Sequence, residues 1–157
     1  MAKRKKEKKL EEKVVYIIGS LRNKKVPHLA KRLRKLGFKE VFDDWFSPGP
    51  EADDFWRKYE KTRGSTYKQA LKNYAGKHIY EFDKFHIDRC DIGILYMPCG
   101  KSGHLELGYM LGSGKNGYVL FDREPDRWDV MYQFCDGVFF NLKELERELI
   151  NNNKRKE

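Results

Sequence analysis

Residue types able to do chemistry gather at three places along the chain. Tyr16-Ile17-Ile18-Gly19-Ser20-Leu21-Arg22 closes a β-branched run with a Gly-Ser turn. Such a turn brings backbone N–H groups, a hydroxyl and a guanidinium to one small volume, a set that suits a phosphate or a carboxylate. Gly-Ser after a strand is also commonly only a turn. G-x-G-x-x-G is absent, so this is not a dinucleotide fingerprint. The second place holds Asp83, Asp88 and Asp91. Asp83 and Asp91 are eight residues apart, so two helical turns would align them; Asp91 reads equally as the end of the helix, and Asp88 as a solvated surface group. The third is Ser102-Gly103-His104-Leu105-Glu106-Leu107-Gly108-Tyr109, which puts Glu106 in the first turns of a helix. There its carboxylate either complements the helix dipole or, turned into a cleft, is kept ionised by it, as a nucleophile requires. His104 reads more readily as solvated than as a base.

These residues need a scaffold, and the hydrophobic pattern supplies one. Val14-Val15-Tyr16-Ile17-Ile18 is a continuous apolar run, the mark of a strand buried on both faces. Pro27 opens a helix with Leu29, Leu33 and Leu36 inward and Gly37 as its C-cap. A second strand, about Glu40 to Trp45, completes a βαβ unit. Ser47-Pro48-Gly49-Pro50 is a rigid turn, followed by an aromatic-rich helix over Glu51 to Lys61 and a short one near Thr66–Tyr74. Residues 46–76 therefore read as an insertion, or lid, covering one edge of the sheet. A helix over Lys77 to Arg89 leads into a strand over Asp91 to Met97, then a loop through Gly103 and a helix over His104 to Leu111. Tyr118–Phe121 and Gly137–Phe140 are two further strands, and Asn141 with Glu144 forms a capping box for a last helix ending near Ile150. The pattern predicts a doubly wound α/β domain, flavodoxin-like or Rossmann-like, with five parallel strands and a helical insertion after the second. In such sheets ligands bind at the carboxyl ends of the strands, where all three clusters fall.

Composition narrows the classes. The chain has 157 residues, 39% hydrophobic, 36% charged and 14% aromatic, which suits one packed domain and excludes a disordered chain. No apolar run approaches a membrane span or a signal peptide. Three cysteines with no C-x-x-C spacing argue against a disulfide framework or a zinc site, and for the cytoplasm. The net charge of +9 suggests nucleic acid until it is located. Residues 1–10 hold a net +5 and residues 151–157 a net +2, which leaves +2 for everything between. The domain is expected over 13–150, between a basic disordered tail (1–12) and a polar tail (151–157).

Taken together and in order, Tyr16-x-x-Gly19-Ser20-x-Arg22, Asp83 with Asp91, and Glu106-Leu107-Gly108-Tyr109 followed by Gly114-Lys115 resemble the nucleoside 2-deoxyribosyltransferase superfamily. That superfamily includes the 2'-deoxynucleoside 5'-phosphate N-hydrolases. The resemblance spans about residues 14–150 and is weakest over 46–76. It implies that Glu106 attacks the anomeric carbon and forms a covalent deoxyribosyl-enzyme, that Tyr16 hydrogen-bonds and orients this carboxylate, and that Asp83 helps the base leave protonated. It further implies a phosphate subsite at Gly19, Ser20 and Arg22, no cofactor and no metal. A homodimer or higher homo-oligomer is implied too, in which a neighbouring subunit completes the pocket from the Met131 to Gly137 region. Phosphate-specific members carry a serine six residues before the glutamate, where this chain has Gly100; Ser102 or Lys101 would substitute, with Gly103 beside them in the implied substrate-binding set.

Asp43, Asp44, Trp45 and Phe46, with Phe55, Trp56 and Tyr59, would form an aromatic wall that stacks a base, with Asp44 at its edge and Trp45 the leading candidate. The same aromatics also suit a satellite core beneath the insertion. A competing function is a catalytically inactive nucleotide-sensing or nucleic-acid-binding module that uses the basic tails, since Lys/Arg clusters bind phosphate backbones.

Overall fold

The computed structural model describes residues 8–154. A short 3-10 turn, Leu10–Glu12, precedes β1 (Val14–Ile18), α1 (Val26–Leu36) and β2 (Glu40–Phe42). Three helices follow: α2 (Ala52–Thr62), α3 (Tyr67–Ala70) and α4 (Tyr74–Arg89). The chain then runs through β3 (Ile92–Tyr96), α5 (Lys101–Gly112), β4 (Asn116–Leu120), β5 (Gly137–Phe139) and α6 (Leu142–Lys154). The strands pair in parallel in the order β2-β1-β3-β4-β5, the flavodoxin-like order. The order reverses between β1 and β3, so the crevice at their carboxyl ends is where a ligand belongs.

Alternation along β1 divides the core. Val15 and Ile17 pack with Leu29 and Leu33 of α1 and Leu145 and Leu149 of α6 on one face of the sheet. Tyr16 and Ile18 point the other way, against Ile87 of α4 and Leu107 and Met110 of α5. The phenol of Tyr16 is therefore delivered beneath α4 and α5 by strand periodicity alone.

Three expectations change. The second strand stops at Phe42 and does not reach Trp45; Asp44–Phe46 is a 3-10 turn. The cause is tertiary: Trp45 Nε1 donates to the Ile17 carbonyl at 2.8 Å, which draws the chain back over the end of β1. Ser102 and Gly103 lie inside α5, not in the loop before it, because the helix starts at Lys101 with Gly100 as its N-cap. Some residues expected in the tails belong to the fold. Leu10 packs on the core beside Leu36, Glu11 pairs with Lys39, and α6 carries on to Lys154. Residues 1–7 and 155–157, which hold the rest of the expected tails, lie outside the described residues.

Among the described residues no helix is long and apolar enough to cross a membrane. Cys90, Cys99 and Cys135 are free thiols.

Candidate active site

Tyr16, Asp83 and Glu106 come from β1, α4 and α5, and the fold gathers their charges into one region. Tyr16 is buried to 1% exposure, and its phenol is pushed up, first by burial and then by the Glu106 and Asp83 carboxylates beside it. Glu106 is half-buried and pushed up to about 7, by burial first and by Asp83 second. Asp83 is likewise half-buried and pushed up to about 6, by burial and by Asp53 at the start of α2. Low-dielectric surroundings and a like charge both favour the protonated acid. Among the described residues neither carboxylate has a cation partner, and no hydrogen bond joins Tyr16 to Glu106; the two are electrostatic neighbours only. The helix dipole does not hold Glu106 ionised: it is the sixth residue of α5, beyond the first turn where the dipole acts, and desolvation wins.

A missing side chain lets α5 reach this position. A Cβ on Gly103 would lie 2.2 Å from Cys99 Sγ and 2.9 Å from Ile18 Cγ2. The start of α5 is thus pressed onto the ends of β1 and β3, and Gly103 serves packing where it was expected to bind substrate. Cys99 lies close enough to Glu106 for that carboxylate to push its thiol up, in addition to burial. Ser102 is exposed on the first turn of α5. A shallow depression lined by Cys99, Gly100, Lys101, His104 and Leu105 opens beside it. His104 Nδ1 faces the Gly100 carbonyl at 2.8 Å and its Nε2 faces Tyr132 Oη at 2.9 Å, so both ring nitrogens are engaged.

The turn after β1 is closed by its own hydrogen bonds. Ser20 Oγ accepts from the Arg22 N–H at 3.2 Å, and the Ser20 carbonyl accepts from the Asn23 N–H at 2.9 Å. The exposed Arg22 side chain reaches Asp54 near the start of α2, with Nη2 3.4 Å from Oδ2. A Cβ on Gly19 would meet Val26 at 3.1 Å and the Trp45 ring at 3.4 Å, so the glycine allows the indole to cover the turn.

Other expected residues separate. Trp45 is a brace whose indole N–H is already used, packed against both halves of the core. Asp44 is exposed and near enough to His86 to act on its charge. That imidazole stacks flat on Phe42 at 3.8 Å and accepts from Arg89 Nε at Nδ1. The aromatic wall divides: Trp56 packs against Gly76, whereas Phe55 and Tyr59 are exposed. Asp91 immediately precedes β3 and is engaged by the start of β1. Its Oδ2 accepts from the Val14 N–H at 2.9 Å, and Lys8 Nζ pairs with Oδ1 at 2.7 Å.

Sequence reasoning missed Asp53, which acts on Asp83, and Asp54, which pairs with Arg22 and Arg57. Adjacent acids at a helix start read as dipole complements, so only the insertion's return across the β1–α1 turn reveals them. Among the described residues no group of three or more His, Cys, Asp or Glu could hold a metal ion. The chain matches no protein-family model, and no curated protein matches it.

Proposed function

We propose that this chain is a nucleoside 2-deoxyribosyltransferase-like enzyme. It cleaves the N-glycosidic bond of 2'-deoxynucleosides or their 5'-monophosphates and passes the sugar to another base or to water. The observation that carries this reading is the pair of half-buried carboxylates without cation partners, Glu106 and Asp83, held above the usual carboxylate range beside the Tyr16 phenol. Two acids raised toward neutrality in one region can supply between them the two forms the reaction needs: one ionised, one protonated.

In the first step a Glu106 carboxylate oxygen bonds to the anomeric carbon as the bond from that carbon to the base nitrogen breaks. Asp83 gives its proton to the departing base, which leaves neutral and not as a poor anionic leaving group. At rest Glu106, the higher of the two acids at about 7, takes the proton more readily; positive charge developing on the sugar favours its ionised form, and the reactive state is the one with the proton on Asp83. In the second step water or an incoming base attacks the same carbon, the glutamyl ester bond breaks, and Asp83 takes up the proton. Two displacements at one carbon give retention. Tyr16, buried and an electrostatic neighbour of both acids, is assigned the orienting of Glu106 through a hydrogen bond made when substrate is bound. The turn at Gly19, Ser20 and Arg22 receives the 5'-phosphate, with Ser102 on the facing helix start.

The exposed Trp128, Val130, Met131 and Phe134, in the segment before β5, support self-association that covers this side of the molecule. The deciding experiment incubates the protein with a panel of deoxynucleosides and deoxynucleoside monophosphates, with and without a free acceptor base. Chromatography then separates released sugar from exchanged nucleoside. Turnover that disappears in Glu106→Gln, with a deoxyribosyl mass increment on the Glu106 peptide of the active protein, is the expected result. Base release unchanged in that variant overturns the reading.

A further inference from the structure

The Arg22 guanidinium already faces an anion supplied by the chain itself. Its Nη2 lies 3.4 Å from Asp54 Oδ2, and Asp54 Oδ1 accepts from Arg57 Nη2 at 2.9 Å. One carboxylate from the start of α2 thus bridges an arginine of the β1–α1 turn and an arginine of its own helix. We propose that Asp54 is a specificity residue: its carboxylate occupies the anion position on Arg22 that a substrate 5'-phosphate takes, so the two compete. This rests on the phosphate reading of Arg22 given above.

The chemistry makes the two anions exclusive. A guanidinium binds carboxylate and phosphate through the same planar fork of N–H donors. A phosphate dianion seated on Arg22 next to the Asp54 carboxylate would place like charges side by side. The two arms of the bridge are also unequal. The Arg22 arm is the longer, beyond the usual 2.7–2.9 Å of a charge-assisted bond, and the Arg57 arm is not. Arg57 lies three residues along the same helix, so Asp54 retains a partner when it yields Arg22, and α2 keeps its turn. Both side chains of the Arg22 pair are exposed, 68% and 47%, so the exchange requires only rotation in solvent. An unphosphorylated deoxynucleoside brings no anion to this position and is indifferent to Asp54.

The test titrates the full chain and Asp54→Asn with 2'-deoxyribose 5-phosphate, inorganic phosphate and 2'-deoxyribose by calorimetry at low salt. Asp54→Ser serves as the second variant, with the same expectation. The variants bind the two phosphate compounds about two- to five-fold more tightly, the range of an exposed ion pair, and 2'-deoxyribose unchanged. Arg22→Gln weakens 2'-deoxyribose 5-phosphate and abolishes the gain from Asp54→Asn, as a coupled pair must. Phosphate affinity equal in wild type and both Asp54 variants, with Arg22→Gln still weakening it, overturns the competition and leaves the phosphate subsite standing. Affinity for 2'-deoxyribose 5-phosphate that does not depend on Arg22 overturns both.

Discussion

Asp83 on α4 and Glu106 on α5 are like charges held together against the sheet, and the proximity of Asp83 adds to burial in raising Glu106 to about 7. Each acid keeps its proton in the folded chain at a pH where the unfolded chain has lost it. The folded state then binds more protons, so this pair's contribution to stability falls as pH rises from about 4 to about 7. Glu106→Gln removes that penalty. It is expected to abolish turnover and to stabilise the fold by about 1–3 kcal/mol at pH 8, with little change at pH 4. Denaturant melts at the two pH values check it; equal stabilisation at both would show that the carboxylate is not strained.

Asp83→Asn keeps the shape and removes the acidic proton that the proposal gives to the departing base. Turnover of an ordinary deoxynucleoside substrate is expected to fall about 100- to 10,000-fold, the usual contribution of general acid catalysis. An N7-methylated purine deoxynucleoside, whose base already carries positive charge, is expected to lose far less. Comparison of kcat for the two substrates checks the role: an equal loss would make Asp83 a positioning group.

Gly103→Ala introduces a methyl where Cys99 and Ile18 already stand. Overpacking of this kind costs about 1–3 kcal/mol, and relief requires the start of α5 to lift from the strand ends. Both stability and kcat are expected to fall, whereas Gly100→Ala, which meets nothing within 4 Å, is expected to cost only the loss of a glycine N-cap, up to about 1 kcal/mol, and to leave α5 seated on the strands. Thermal melts and steady-state rates on the two variants separate the effects.

Self-association is expected through the segment before β5, where Trp128 is 78% and Phe134 72% exposed. Sedimentation velocity should find a species heavier than the monomer, and Phe134→Glu should shift it toward monomer. A wild-type chain that stays monomeric at micromolar concentration removes this part of the proposal.

The sheet could be read from the sequence wherever one element explained its own pattern. Val14–Ile18 has the bounds its apolar run predicts, and Gly37 ends α1 with a φ of 121° that favours glycine. Tyr16, Asp83 and Glu106 converge because strand alternation and helix direction are local rules. Elsewhere distant contacts decide. β2 is cut short by the bond from Trp45 to Ile17, and α5 starts early because Gly103 admits Ile18. Asp91 was two helical turns from Asp83 only if α4 continued; the helix ends at Arg89, and Asp91 turns to the Val14 N–H. Asp54 carries no signal in sequence for the arginine it meets, 32 residues earlier.

The clamp formed by Lys8, Asp91 and Val14 lies at the amino edge of the sheet, as does the pair Glu11–Lys39. The segment leading into β1 is therefore pinned at two points, to the residue before β3 and to the residue before β2. One acid also ties the starts of the two central strands together, since Asp91 holds the Val14 N–H. A chain so tethered acts as a strap across the amino ends of β2, β1 and β3.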